Sequence, residues 1–346
     1  MVFQIGLLNR VVASSVLVTV VAFGSVFAVV AKAENLNGGG ATFPAPLYVE
    51  YVREAKKALP DLAINYQAIG SGGGVSQFTA GTVDFGASDN AMTDGEIAKV
   101  KNGVILVPTA GGAVSIVYNL SGISELKLSR KTLPAIFSGQ ITRWDDPQIK
   151  ADNPSVDLPS QPIKAVVRAD ASGTTFILTN HLSQISASFK GRIGASRSPT
   201  WTVANALKGK GNPGVAHLVS ITPGSIGYVD YQDAQTAKLQ SAQVQNKKGE
   251  FAAPSLAGAK QALSTVTFPQ NFRVFVSDPD TGYPIVGLTW IMIYKHYPNA
   301  AKGAAAKQWV NWILTDGQKL NEGLNYTRIP SAVATQVLQA VNDSVK

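Results

Sequence analysis

The stretch Arg168-Ala169-Asp170-Ala171-Ser172-Gly173-Thr174-Thr175 lies between an apolar run at 163–167 and a helical pattern at 176–182. It reads as a strand, a tight turn and a helix. A turn of that kind leaves the first backbone N–H groups of the helix unpaired and pointing outward, with the positive end of the helix dipole behind them. It is a socket for an anion. Ser172 and Thr174 add hydroxyl donors, Gly173 lets a ligand approach the backbone, and Arg168 brings a permanent positive charge with a fork of donors. An ordinary capped βα turn would use the same residues, with Ser and Thr as caps and Arg solvated. What separates the two readings is that the chain repeats the arrangement twice.

The first repeat is Asn37-Gly38-Gly39-Gly40-Ala41-Thr42-Phe43-Pro44-Ala45-Pro46. It leads into a segment where Leu47, Tyr48, Tyr51, Val52, Ala55 and Leu59 recur at helical spacing. Proline is tolerated in a first helical turn, so Pro44 or Pro46 marks the start and Thr42 sits near the cap. The second repeat follows the alternating run 62–69: Gly70-Ser71-Gly72-Gly73-Gly74 opens a short helix through Val75, Phe78 and Ala80. Val83-Asp84-Phe85-Gly86-Ala87-Ser88-Asp89 comes next. A carboxylate at Asp84 beside an anion site would repel the ligand unless the ligand brings a proton for it to accept; otherwise Asp84 merely caps a turn.

The chain of 346 residues is 45% hydrophobic and 15% charged, enough for a sizeable core in two domains. The net charge of +8 is scattered rather than gathered in a dense run, which argues against a nucleic-acid groove. There is no cysteine, so disulfides, thiol catalysis and cysteine-ligated metals are excluded together. His181, His217 and His296 make neither HxH nor HExxH spacing and read as surface or supporting residues, so no metal site is assigned. The glycine-rich segment 209–214 lacks the spacing of a GxxxxGK[ST] loop, which argues against a nucleotide.

Residues 1–33 differ in composition from the rest. Arg10 precedes an almost unbroken apolar run at 11–30, and Ala31-Lys32-Ala33 offers small residues where a signal peptidase reads them. A cleaved secretory leader is expected, with a retained anchor as the alternative. Removing Arg10 and Lys32 takes Lys+Arg from 30 to 28 against 22 acidic residues, a mature charge of +6.

Beyond the second repeat, strand and helix patterns alternate. Strands are expected at 104–108 and 114–120, separated by a hinge at Thr109-Ala110-Gly111-Gly112, and again at 224–231, 272–276 and 285–294, with Tyr283-Pro284 as a second crossing. Segment 190–213 reads as basic surface without clear period. Two closing helices carry Trp309, Trp312 and Ile313, and Val333, Val337, Leu338 and Val341, as packing faces. This alternation predicts a largely parallel sheet in each domain, with ligands at the carboxyl ends of strands.

The motifs GGGATFPAPLY (38–48), AIGSGGG (68–74), VDFGASD (83–89), VVRADASGTT (166–175) and SIGYVDY (225–231) resemble, in this order, the periplasmic phosphate-binding proteins of high-affinity phosphate ABC transporters. The resemblance runs from about residue 38 to near the C-terminus. It implies a class II periplasmic-binding-protein fold: two α/β lobes joined by two crossings, lobe 1 formed by 34–108 and 285–346 and lobe 2 by 109–284, closing over one phosphate. By position it implies that Thr42, the backbone of Phe43, Ser71, Asp84, Arg168, Ser172, Gly173 and Thr174 hold the phosphate and that Asp170 orients Arg168. Ala171 stands where the enterobacterial form has Gly, and Arg168 is a single arginine where that form has two; neither departure removes a ligand group.

On this reading the odd carboxylate makes sense. Phosphate at neutral pH keeps a proton, so an ionised Asp84 gains a hydrogen bond from P–OH, while sulfate has none to give. A buried mismatch of that kind costs roughly 2 to 5 kcal/mol. The resemblance further implies a non-catalytic, monomeric receptor outside the cytoplasmic membrane, with no cofactor, that delivers phosphate to permease subunits of an ABC transporter. The alternatives are a receptor for sulfate or molybdate, an extracellular phosphate sensor or scaffold, and a secreted phosphatase pairing Ser172 with His181.

Overall fold

The computed structural model describes residues 34–346; the leader expected at 1–33 lies outside them. The chain opens with β1 (Glu34–Gly40), α1 (Ala45–Ala58), β2 (Leu62–Ala68), α2 (Ser71–Ala80), β3 (Phe85–Ser88) and the short α3 (Asp94–Ile97). β1 pairs in parallel with β2 on one side and β3 on the other. Three parallel strands therefore end on the same edge, and the turns that follow them emerge together.

β4 (Val104–Asn119) comes next, and it corrects the expected break at 109–112. Its first part, to Ala113, pairs antiparallel with β12 (Val286–Tyr294, introduced here out of chain order); from Val114 onward it pairs antiparallel with β8 (Ser225–Asp230). All of its residues but the last are buried. The Gly-Gly step that looks like a hinge in the sequence is ladder backbone, and Gly111 additionally bridges to Thr327.

The remaining elements are β5 (Lys127–Leu128), α4 (Thr132–Phe137), α5 (Pro147–Asp152), β6 (Lys164–Arg168), α6 (Gly173–Ile185), α7 (Ala187–Arg192), β7 (Leu207–Gly209), α8 (Gly211–Ile221) and, after β8, α9 (Tyr231–Thr236). Then follow β9 (Gln240–Ser241), β10 (Gln243–Gln245), β11 (Phe251–Ala252), α10 (Leu256–Leu263) and, after β12, α11 (Ala300–Leu314) and α12 (Ser331–Ser344). The main sheet runs β2-β1-β3-β12-β4-β8-β6-β7. β6 is parallel to both β7 and β8. Two parallel clusters, one at each end of the order, are thus joined through the antiparallel β12 and β4.

The expected strand at 272–276 does not form. Phe272 has φ of 55°, which breaks an extended run, and its carbonyl accepts from Trp290 Nε1 at 2.8 Å. Arg273 reaches Met92 O at 2.9 Å and Asp94 at 2.8 Å. The alternating pattern serves to anchor a strap, with no neighbouring strand to pair with. The closing helices do pack as their spacing predicts: Trp309, Trp312 and Ile313 are buried, and Tyr51 meets Trp312 edge-on at 5.8 Å, joining α1 to α11. Burying each such side chain stabilises the fold by about 1.5–3 kcal/mol.

Candidate anion-binding site

Four strand-to-helix turns from both halves of the sheet meet at one place. Ser71, first residue of α2, accepts from the N–H of Gly173, first residue of α6, at 3.0 Å, and the Gly72 N–H donates to Ala171 O at 2.9 Å. Thr42, in the β1–α1 turn, accepts from the Asn212 N–H in the first turn of α8 at 3.2 Å. Contact is so close that two positions require glycine. A Cβ on Gly173 would lie 2.5 Å from Asp89 and from Ser71 Oγ, and one on Gly70, at φ of 91°, would collide with the Asp170 carboxylate.

Arg168 ends β6 with its side chain almost wholly buried, 1% exposed. Asp170 grips it from one side, Nε at 2.9 Å and Nη2 at 2.5 Å. Nη1 donates to Asn212 Oδ1 at 3.0 Å and to Thr174 Oγ1 at 3.4 Å. A guanidinium has five N–H donors; one on Nη2 remains for a ligand. Burial pulls the Asp170 carboxyl upward, but the Arg168 pairing and the Gly211 N–H outweigh it and hold it below the usual range. Asn212 in turn donates to Asp230 Oδ2 at 3.0 Å, and Tyr326 reaches both Asp230 at 3.1 Å and the Phe43 carbonyl at 2.7 Å. The arginine is therefore fixed from two directions, and the second network also holds the backbone at Phe43.

The carboxylate in the cluster is Asp89, and this is a correction. Asp84 lies at the other end of β3, where its Oδ2 accepts from the Asn37 N–H at 2.8 Å and from Lys302 Nζ at 2.9 Å. It ties β1 to α11 and takes no part in the site. Asp89 is 2% exposed; Oδ1 accepts from Thr289 Oγ1 at 2.8 Å and Oδ2 from Ser71 Oγ at 3.3 Å. Burial pushes its carboxyl up to about 7, against the opposing pull of Thr289, Arg168 and Ser71. A signal for it was present: ligands gather at the carboxyl ends of strands, and Asp89 follows β3 whereas Asp84 precedes it.

The other expected residues fall as follows. Thr42, Phe43, Ser71, Arg168, Gly173 and Thr174 come together with Asp170 beside them. Ser172 is there too, its hydroxyl capping α6 by accepting from the Thr175 N–H at 3.1 Å. Asn212, Thr289 and Tyr326 are additions; Asn212, in the first turn of α8, falls at the end of the stretch 190–213 that shows no clear period. His181 is buried, not on the surface, with Nδ1 2.7 Å from Ser277 O, and burial lowers its pKa to about 4. A cavity of about 410 Å³ between Thr42, Ala45, Ile69, Lys210 and Pro213 adjoins the cluster. The arrangement supplies one fixed positive charge, helix N-terminal donors from two sides and one desolvated carboxylate that can accept a proton or a hydrogen bond.

Comparison with known proteins gives a consistent set of likenesses. A profile of the PBP superfamily domain matches residues 28–317. The phosphate-binding protein PstS of Pasteurella multocida is 35% identical over 328 residues, covering 93% of this chain and 94% of the relative. Among solved structures, the high-affinity periplasmic phosphate-binding protein PfluDING, with phosphate bound, aligns with a TM-score of 0.74 at 23% identity over 88% of this chain and 93% of its own. The phosphate-binding protein of Stenotrophomonas maltophilia aligns at 0.72 and 22% identity over 89% and 94%. At such identities the solved structures speak for the fold alone.

Proposed function

We propose, proceeding from the fact that this chain belongs to the PstS family of phosphate-binding proteins, that it captures inorganic phosphate outside the cytoplasmic membrane and delivers it to an ABC-transporter permease. Its fold is the two-lobed class II arrangement of periplasmic binding proteins, and its role is binding without catalysis. We take 34–108 with 285–346 as one lobe and 109–284 as the other, the chain crossing between them in β4 and near Tyr283-Pro284. The protein acts as a monomer after removal of its leader. Among the described residues no helix is long and apolar enough to cross a membrane.

The phosphate ligands are Thr42, the backbone of Phe43, Ser71, Arg168, Ser172, Gly173 and Thr174, with Asp89 in the role first given to Asp84. The observation that carries the reading is the buried Asp89 carboxyl beside Arg168 and the α6 N-terminus. A fully deprotonated tetrahedral anion would face a second negative charge there. Phosphate instead donates P–OH to the ionised carboxylate, or accepts from it when the carboxyl is protonated. This disfavours sulfate and molybdate by about 2–5 kcal/mol above neutral pH, where Asp89 is ionised.

A phosphatase reading finds no support in the same geometry. Ser172 Oγ is engaged as a cap, and His181 is held by the Ser277 carbonyl. Calorimetric titration of the purified protein with phosphate tests the proposal. Saturable heat that excess sulfate does not abolish is expected; no heat at micromolar concentrations sinks it.

A further inference from the structure

Helix α3 starts five residues after Asp89 and carries a capping box: Thr93 Oγ1 accepts from the Glu96 N–H at 3.3 Å, and Glu96 Oε2 accepts from the Thr93 N–H at 2.9 Å. One oxygen of Glu96 is spent locally, which fixes the side chain. The other, Oε1, takes the guanidinium of Arg197, in the loop between α7 and β7. That loop is fastened to the anion-facing helix: the Ser196 N–H donates to Thr179 Oγ1 at 3.0 Å, and the Ser172 N–H donates to Arg197 O at 2.9 Å.

Glu96 therefore belongs to the segment that carries Asp89, and Arg197 to the segment that presents Gly173 and Thr174. The two segments lie in different halves of the sheet order, one around β3 and the other around β6. Both side chains are 20% exposed, so the pair is screened less than a surface pair. It can form only when the halves meet.

We propose that Glu96 and Arg197 are a latch that holds the closed cleft and sets how long the anion stays bound. The inference rests on the phosphate reading above. A contact that joins the two halves once they have met acts on release rather than on association. Burial pulls the Glu96 carboxyl upward, but the Thr93 N–H and Arg197 outweigh it and keep the carboxyl below its usual range, so the latch stays charged through neutral pH.

Stopped-flow measurement of phosphate association and release on Arg197→Gln, Glu96→Gln and the double variant E96Q/R197Q tests this. Release should quicken about five- to tenfold in each single variant, with association changed less than about twofold and the double variant no faster than either single one. Raising ionic strength should speed release from the parent protein but not from the single variants. Unchanged release in both single variants overturns the latch, as does a fall in thermal stability with no change in release. If the parent protein does not bind phosphate, the functional reading falls instead. X-ray scattering of the same proteins then decides the latch: expansion in both single variants, no larger in the double one, supports it, and equal radii overturn it.

Discussion

The two ends of β3 hold one aspartate each, five positions apart, and the chain treats them in opposite ways. Asp84 at the amino end is met by a backbone N–H and by Lys302, a neutralised pair that fastens β1 to α11. Asp89 at the carboxyl end is buried among hydroxyls, and Arg168, the cation whose charge it feels, is already gripped by Asp170. The same side chain is a structural tie where a counter-ion finishes it and the proposed phosphate ligand where the fold leaves it unfinished. Strand direction, rather than neighbouring letters, decides which is which.

The sharpest way to break this contrast is to remove the charge that the carboxyl end is built around. Arg168→Ala should weaken phosphate binding by about 30-fold to several thousand-fold, since it removes the buried cation and leaves the partly exposed Asp170 charge beside the anion without its partner. Calorimetry measures it, and near-parental affinity would take the arginine out of the site. Asp89→Asn should collapse the preference for phosphate over sulfate by at least about 30-fold in competition titrations.

The same variant sharpens the contrast through stability. Burial raises the Asp89 carboxyl to about 7 in the folded protein, above its ordinary value. The folded state then binds more protons than the unfolded one between those two values, so stability falls as pH rises through that window. Asp89→Asn, free of this burden, should make the ligand-free protein more stable at pH 8 by about 2–4 kcal/mol, read from denaturant unfolding. In the parent protein, discrimination against sulfate should narrow as pH drops below about 7, because a protonated Asp89 can donate to an anion that has no proton. A selectivity flat between pH 5 and 8 would remove the carboxyl as the discriminator.

The smallest effect belongs to the other end. Asp84→Asn should cost about 1 kcal/mol of stability, the scale of a partly exposed ion pair, and leave phosphate affinity within about twofold. A large loss of binding there would reverse the comparison.

The three anion-facing turns are legible in the sequence because their chemistry is local: glycine, a hydroxyl and a helix start lie within a few residues of one another. Asp84 misleads because it, too, sits within a few residues of such a turn, and only the direction of β3 separates it from Asp89. β4 is illegible for a different reason. Gly111-Gly112 reads as a break, yet its backbone groups are paired across the ladder by residues about 175 positions away, Gly287 and Leu288. Asn212 belongs to a turn that carries no hydroxyl-and-glycine signature, and Phe272 to Val276 alternates like a strand but is held by side-chain anchors on Met92, Asp94 and Trp290.

β4 also governs how the molecule can come apart. A single strand stitched through two neighbouring ladders gives neither side a finished border of its own. Cutting the chain within it would bare unpaired edges ready to recruit other copies. Each piece made separately should aggregate, and the intact chain should melt in one step.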